Sequence, residues 1–345
     1  MATLQDFLNQ NAGSVFPGSP PPINGETLVQ PSALNFIGSD VAAALISAVP
    51  VAPTPAPAGA KYPAIYAFGD SLTDTGNVSL ATAGMVPVSP PYADRSFSNG
   101  PVWVQDLAQD LGLPSLNPSL AGGTDFAYGG AETGQTANHA VNPTDLTSQY
   151  TQYLQQSPSP LPGALYAVWI GANDVLDIAN NSSLTSAQQQ ADVKDAVNNE
   201  MAVIGGLVAH GAQNLLVLNV PDLGITPYEQ ERGATTAQTA SSLSSLYNSE
   251  LATALQPLEA SGAVKVDLVD SFSVLDQAKA NPAAHGFTDV SSPVWTGGLT
   301  DPGSGTLHAS GSAQDQFLFF DSLHPTAHAH SLLASGIAQN LTTVA

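Results

Sequence analysis

Residues 64–77 read AIYAFGDSLTDTGN. The first five form a continuous apolar run, too short for a helix and without the alternation of a half-solvated strand. That pattern predicts a strand covered on both faces. The polar residues behind it end the strand abruptly and leave Ser71 just past its C-terminal end. At such a place a hydroxyl projects over the sheet edge and the nearby backbone N–H groups are free to face an anion. The ordinary reading of a serine there is a helix N-cap. Whether Ser71 does more depends on what the other strands deliver to the same edge.

Further apolar runs follow at LYAVWI (165–170), NLLVLNV (214–220) and VKVDLV (264–269), with a weaker and shorter one at TDFAY (124–128). Between them lie amphipathic stretches: PVWVQDLAQDLG (101–112), LTSQYTQYLQQ (146–156), Ala187 to His210, Thr236 to Ala260 and Thr326 to Leu341. Pro101 suits a first helical position, and Gly112, Gly211 and Gly262 suit stops. Strands alternating with helices predict an α/β fold, a three-layer α/β/α sandwich with a mostly parallel sheet. Right-handed crossovers then carry every strand's C-terminal end to one edge.

The composition narrows the function. The 345 residues hold 28 Asp plus Glu against 6 Lys plus Arg, a formal net charge of −22. So few cations exclude nucleic acid and anionic lipid surfaces as default partners. The absence of Cys excludes disulfides, thiol nucleophiles and iron–sulfur or Cys-zinc sites. Residues 1–60 read as a separate Pro-rich extension. Pro17 and Pro20 to Pro22 break its start, VPVAPTPAPAGAK (49–61) is an extended linker, and Leu34 to Val49 predicts one short helix. The main folded domain is expected to be 61–345. The opening MATLQDFLNQNAG has neither the basic nor the apolar region of a signal peptide. The apolar stretch 35–49 is interrupted by Ser39 and Asp40 and is too short to cross a bilayer, so no transmembrane segment is expected. A cysteine-free, lysine-poor acidic chain fits a secreted or cell-surface setting.

The loops behind the strands are unusually specific. They read AYGGA (127–131), WIGAND (169–174) and, before the last helix, FFDSLHP (319–325). Asp321 and His324 are three apart, so a turn brings the carboxylate to the imidazole while the other ring nitrogen faces outward. This pair provides a base and its orienter, and Ser71 a nucleophile. The Gly130 N–H and the Asn173 amide provide donors for a developing oxyanion. Asp74 and Asn77 read as braces of the first loop, and Asp174 as a brace of the third. His324, His328 and His330 do not read as a metal site, because His328 and His330 lie two apart on a helix and point to different sides. His139, His285 and His308 sit in Gly/Asn/Ala loops and read as exposed or substrate-side. Gly205-Gly206 has no strand before it, which excludes a nucleotide loop. No metal and no organic cofactor is expected.

These blocks resemble the GDSL, or SGNH, hydrolases, esterases and lipases with a flavodoxin-like sandwich. The resemblance spans residues 65–340. FGDSLTDTGN is similar to the first block, TDFAYGGAETG to the second, GANDVLD to the third and DSLHP to the fifth, while VLNVPDLGITP (217–227) looks like the segment after the fourth strand. The resemblance implies Ser71 as nucleophile and backbone oxyanion donor. It also implies Gly130 as second donor, with Gly129 the alternative, Asn173 as third, Asp321 as acid and His324 as base. It implies an acyl-serine route with no cofactor.

The substrate is expected to be a small-molecule or lipid ester. Loops 78–100 and 285–316 supply candidate cleft walls through Tyr92, Phe97, Phe287 and Trp295. The acidic composition and the lack of a basic amphipathic helix favour neutral esters of short to medium acyl chains. Phospholipase or lysophospholipase activity, and acyl transfer to an alcohol, would use the same residues. A non-catalytic surface module of this fold would have no need for the complete set. No protein partner is indicated.

Overall fold

The structure is a computed structural model describing residues 53–93 and 95–343, so the helix expected over Leu34 to Val49 lies outside the described residues. Four strands, β1 (Ile65–Gly69), β2 (Leu165–Trp169), β3 (Asn214–Leu218) and β4 (Lys265–Val269), pair in parallel in that order. The weaker run at 124–128 lies along the free side of β1. Ala67 N donates to Thr124 O at 3.0 Å, Phe126 N to Ala67 O at 2.8 Å and Tyr128 N to Gly69 O at 3.2 Å. Counting this segment by its place in the chain, the strand order is 2-1-3-4-5, that of a flavodoxin-like sheet. Connections therefore diverge at the C-terminal end of β1, where a crevice opens in such sheets.

The helices are α1 (Asn77–Ala81), α2 (Trp103–Asp110), α3 (Leu146–Gln156), α4 (Ala172–Asn180), α5 (Ser186–Ala209), α6 (Pro227–Glu231), α7 (Ala234–Ser261), α8 (Ser271–Ala280) and α9 (Ala327–Thr343). Alternate strand residues point to opposite faces. Tyr66, Phe68, Tyr166, Val168, Leu215 and Val217 form one core with α3, α5 and α7. Ile65, Ala67, Leu165, Ala167, Trp169, Leu216 and Leu218 form the other with α2 and α9. Both faces of β1 and β2 are covered, which is why their sequences are apolar throughout. Ala56 and Ala60 of the linker pack on the second core, and Lys61 donates to the Leu341 carbonyl. No described helix is long and apolar enough to cross a membrane.

Four short helices, α1, α4, α6 and α8, and a small sheet depart from the sequence reading. The residues after Ser71 form a turn rather than a helix, because Thr73 N and Asp74 N both donate back to the Asp70 carbonyl, at 3.0 and 2.9 Å. The GANDVLD block is helical from Ala172, started by Gly171 at φ 101° and held down by buried Val175 and Ile178. Asn173 is thus a first-turn helix residue. Helix α8 follows β4, capped by Asp270, whose side chain accepts from Ser273 N. Loop 285–316 contributes β5 (Asp289–Pro293), which pairs in parallel with β6 (Phe317–Phe319).

Candidate active site

Ser71 and His324 come from opposite ends of the domain and meet at the C-terminal end of β1. Ser71 Oγ is 2.9 Å from His324 Nε2, and His324 Nδ1 is 2.7 Å from Asp321 Oδ2. The local sequence makes the second contact: Asp321 Oδ1 accepts from Leu323 N at 2.8 Å and His324 N at 2.7 Å, so the DSLH turn closes on its own carboxylate. Phe320 N also donates to His324 O at 2.7 Å. All three side chains are largely buried.

Burial alone would raise the Asp321 carboxyl, but the His324 charge and hydrogen bonds from His324 and Tyr92 hold it below the usual carboxylate range. Burial alone would lower His324, yet Asp321 outweighs it and the imidazole is held above its ordinary value. Asp70, beside Ser71, is buried and pushed up to about 7.

The glycine pair at 129–130 divides. Gly129 N donates to Asp74 Oδ2 at 2.9 Å and is engaged. The Gly130 N–H meets no acceptor among the described residues, and Gly130 sits at φ 78°. A Cβ at Gly129 would lie 2.3 Å from the Phe97 ring, so that position admits only glycine. Asn173 Nδ2 donates one hydrogen to Ala131 O at 2.8 Å, which leaves its second amide hydrogen for another acceptor.

The bracing residues are densely bonded. Asp74 Oδ1 accepts from Gly76 N at 2.7 Å and Asn77 N at 2.6 Å, and Oδ2 also accepts from Val78 N. Burial nevertheless pushes Asp74 up to about 6. Asn77 Nδ2 donates to Asp125 O and Ala127 O, both at 2.9 Å, and its Oδ1 accepts from Leu120 N and Ser119 Oγ. Asp174 accepts from Thr133 N and, at 2.7 Å, from Thr133 Oγ1.

The expected cleft walls are a correction. A cavity of about 80 Å³ opens beside Ser71 and His324, but none of Tyr92, Phe97, Phe287 and Trp295 lines it. Each is at most 3% exposed, because the four pack into three small cores. Tyr92 and Trp295 pack with Phe320, Phe97 with Val78 and Tyr128, and Phe287 with Leu318 and Phe319. Tyr92 has a different use: its hydroxyl donates to Asp321 Oδ2 at 2.6 Å. The walls of the cavity are instead Leu176 from α4, Pro221 and Leu223 behind β3, Val274 and Leu275 from α8, and Leu333 from α9.

His139 is not a free loop histidine. Its Nδ1 is 3.0 Å from Glu132 Oε2 and its Nε2 3.0 Å from Asp145 Oδ2. Burial disfavours its charge, but Asp145 and Glu132 push it up to about 11. Asp145 Oδ1 in turn accepts from Glu132 N, next to the Ala131 carbonyl that holds Asn173. The signal for this in the sequence is one histidine among acidic residues in a chain with few cations, but its partners are fixed only by the fold. Glu132, His139 and Asp177 could share a metal ion by distance, although both His139 nitrogens already face carboxylates. His324, His328 and His330 do not share a partner: His328 Nε2 is 2.8 Å from His285 O, whereas His330 is buried and lines the cavity beside His324.

The profile of the GDSL-like Lipase/Acylhydrolase family matches residues 65–337. The chain is 32% identical over 234 residues to the phosphatidylcholine-sterol acyltransferase of Aeromonas hydrophila, a match covering 68% of this chain and 65% of that protein. It is 27% identical over 315 residues to a GDSL esterase/lipase of Arabidopsis thaliana, covering 77% of this chain and 83% of the relative. Among solved structures, a carbohydrate acetylesterase from Sinorhizobium meliloti aligns with a TM-score of 0.44 at 14% identity, over 82% of this chain and 99% of that one.

Proposed function

The chain belongs to the GDSL-like lipase/acylhydrolase family, and from that premise we propose that it hydrolyses carboxylic esters through an acyl-serine at Ser71. The observation that carries this reading is the continuous contact Ser71 Oγ–His324 Nε2 at 2.9 Å and His324 Nδ1–Asp321 Oδ2 at 2.7 Å.

In the neutral imidazole, Nδ1–H donates to Asp321 and Nε2 accepts from the Ser71 hydroxyl. Ser71 Oγ attacks the ester carbonyl carbon as its proton passes to Nε2. The oxyanion takes hydrogen bonds from the N–H groups of Ser71 and Gly130 and from the second amide hydrogen of Asn173. Collapse breaks the carbon–oxygen bond to the alcohol, which leaves with the proton from Nε2. Water then attacks the acyl-serine, gives its proton to Nε2, and the carboxylic acid departs as Ser71 Oγ recovers that proton. Each oxyanion donor lowers the barrier by about 3 kcal/mol in such sites.

Residues 61–345 form the catalytic unit in this reading, and a secreted or cell-surface setting suits it. The apolar cavity beside Ser71 favours short to medium acyl chains. Transfer of the acyl group to an alcohol is the second reading, favoured by similarity to a protein named as an acyltransferase. A fluorophosphonate probe is expected to label the parent at Ser71 and not Ser71→Ala, and ester turnover is expected to vanish in that variant while circular dichroism is unchanged. Labelling at another serine, or full turnover by Ser71→Ala, would overturn the assignment.

A further inference from the structure

The cavity beside Ser71 is apolar over most of its wall, and its polar residues are nearly all engaged. Ser271 Oγ donates to Asn219 O, Thr226 Oγ1 donates to Leu223 O at 2.7 Å, and Asp70 Oδ1 accepts from Leu72 N at 2.9 Å. His330 is the exception. It lines the cavity from the first turn of α9 and is 2% exposed, and its ring forms no hydrogen bond with any described residue. Its backbone N–H is satisfied by Thr326 O at 3.0 Å, so only the imidazole lacks a partner.

A buried polar group without a partner is costly and rare, and one that faces a ligand cavity points to a partner brought in by the ligand. Burial and the neighbouring His324 keep the ring neutral, pushed down to about 3. A neutral imidazole has one donor nitrogen and one acceptor nitrogen, which matches a hydroxyl, itself donor and acceptor. The acyl part of the ester is the part that stays attached to Ser71 through both steps. The alcohol must leave before water can attack. A recess walled by Ser71, Asn173, His324 and apolar side chains therefore suits the acyl chain.

We infer that His330 forms a polar subsite in the acyl cavity and selects acyl chains bearing a hydroxyl group. The inference rests on the reading of Ser71 as the acylated nucleophile. His330 touches the substrate away from the reacting atoms, so it sets specificity rather than chemistry.

The test is kcat/KM for ethyl hexanoate and for ethyl hexanoates carrying one hydroxyl at successive chain carbons, with acid release followed by titration. In the parent, one position of the hydroxyl should raise kcat/KM about tenfold over the unsubstituted ester. In His330→Leu that gain, read as the ratio of hydroxylated to unsubstituted ester within the same variant, should fall to about twofold or less. His330→Gln, which keeps a donor and an acceptor, should retain part of the gain and carries the comparison if His330→Leu does not fold. Fluorophosphonate labelling of Ser71 at the parent rate establishes that each variant's site is intact. A parent without hydroxyl preference at any position, or a preference that survives in His330→Leu, overturns the inference. So does a gain confined to hydroxyls on the alcohol portion, tested with hydroxyalkyl hexanoates. No turnover of any ester together with no labelling of Ser71 removes the reading beneath it. Turnover and labelling without hydroxyl preference remove this inference alone.

Discussion

The Gly129 N–H points at Asp74 Oδ2, 2.9 Å away, and this single bond distinguishes two adjacent glycines. With Gly129 tied to the first loop, the neighbouring Gly130 N–H is left without an acceptor among the described residues. Asp74 therefore joins the loop that carries Ser71 to the loop that carries Gly130.

Asp74→Asn tests that joint. Four backbone N–H groups converge on the two carboxylate oxygens, and an amide offers one oxygen. Two donors would then face an NH2 group. Loss of hydrogen bonds to a buried charge costs about 1.5–3 kcal/mol each. Thermal melting should show a clear fall in Tm, and steady-state kinetics should show kcat down by roughly tenfold with KM little changed. A variant with parent kcat would mean that Gly130 holds its orientation without Asp74.

Tyr92→Phe removes the hydroxyl that donates to Asp321 Oδ2 at 2.6 Å. Asp321 then places more of its negative charge on His324, which stabilises the imidazolium and raises His324 further. Since the base must be neutral, the acidic limb of the kcat/KM profile should move to higher pH, with kcat at its plateau lowered about threefold to tenfold. A limb that stays in place would make Tyr92 a packing residue only.

His139→Gln should loosen the loop that presents the Ala131 carbonyl to Asn173. The imidazole bridges Glu132 and Asp145 with both nitrogens, and Asp174 and Asp177 lie close by, so a neutral amide leaves several carboxylates repelling one another. Because the effect reaches the chemistry through the oxyanion donor, kcat should fall more than KM rises. Raising the ionic strength should recover part of the loss through screening. Equal activity of parent and variant at low salt would disconnect the loop from Asn173.

Stability and activity should have different pH optima. Glu200 is pushed from 4.5 up to about 8 by burial, Asp70 to about 7 and Asp74 to about 6. Between the unfolded and folded pKa values the folded state keeps the proton and the unfolded state releases it, so stability falls as pH rises from about 4 to about 8. His139 acts in the same sense at higher pH: its contribution is complete below 6.5 and is lost as pH rises through about 11. Differential scanning calorimetry should therefore find a higher Tm at pH 5 than at pH 8. Ester turnover should rise toward alkaline pH as His324 loses its proton. Glu200→Gln preserves an acceptor for the Tyr247 hydroxyl, 2.7 Å away, and should flatten the decline, matching the parent near pH 4.5 and exceeding it at pH 8.

The sheet was legible because β1 and β2 are buried on both faces and so leave unbroken apolar runs. Ser71, Gly130, Asn173, Asp321 and His324 stand out as candidates because each follows a strand in a short block whose polar residues have no packing reason to be there. The helical state of Asn173 was not legible, since GAND reads as a turn and only the later Val175 and Ile178 show the helical spacing. The cleft walls were misread for a physical reason. Large aromatics in long loops are as useful for anchoring a loop to the core as for gripping a ligand, and here Tyr92, Phe97, Phe287 and Trp295 do the former. The cavity beside Ser71 is lined instead by mostly aliphatic residues from four segments, each unremarkable in its own stretch of sequence. His139 was missed because Glu132 and Asp145 reach its ring only through the path of an irregular loop, which residue spacing does not reveal.

The contact between Ser71 Oγ and His324 Nε2 joins residues 253 positions apart. Neither partner approaches the other until the parallel strands between them have been ordered and the last helix has docked on the second core. Loops of that length close late, and parallel pairing is slow because no short turn precedes it. Regain of turnover on dilution from denaturant should therefore lag behind the recovery of helical signal, and the enzyme's own chemistry becomes a clock for the completion of its topology.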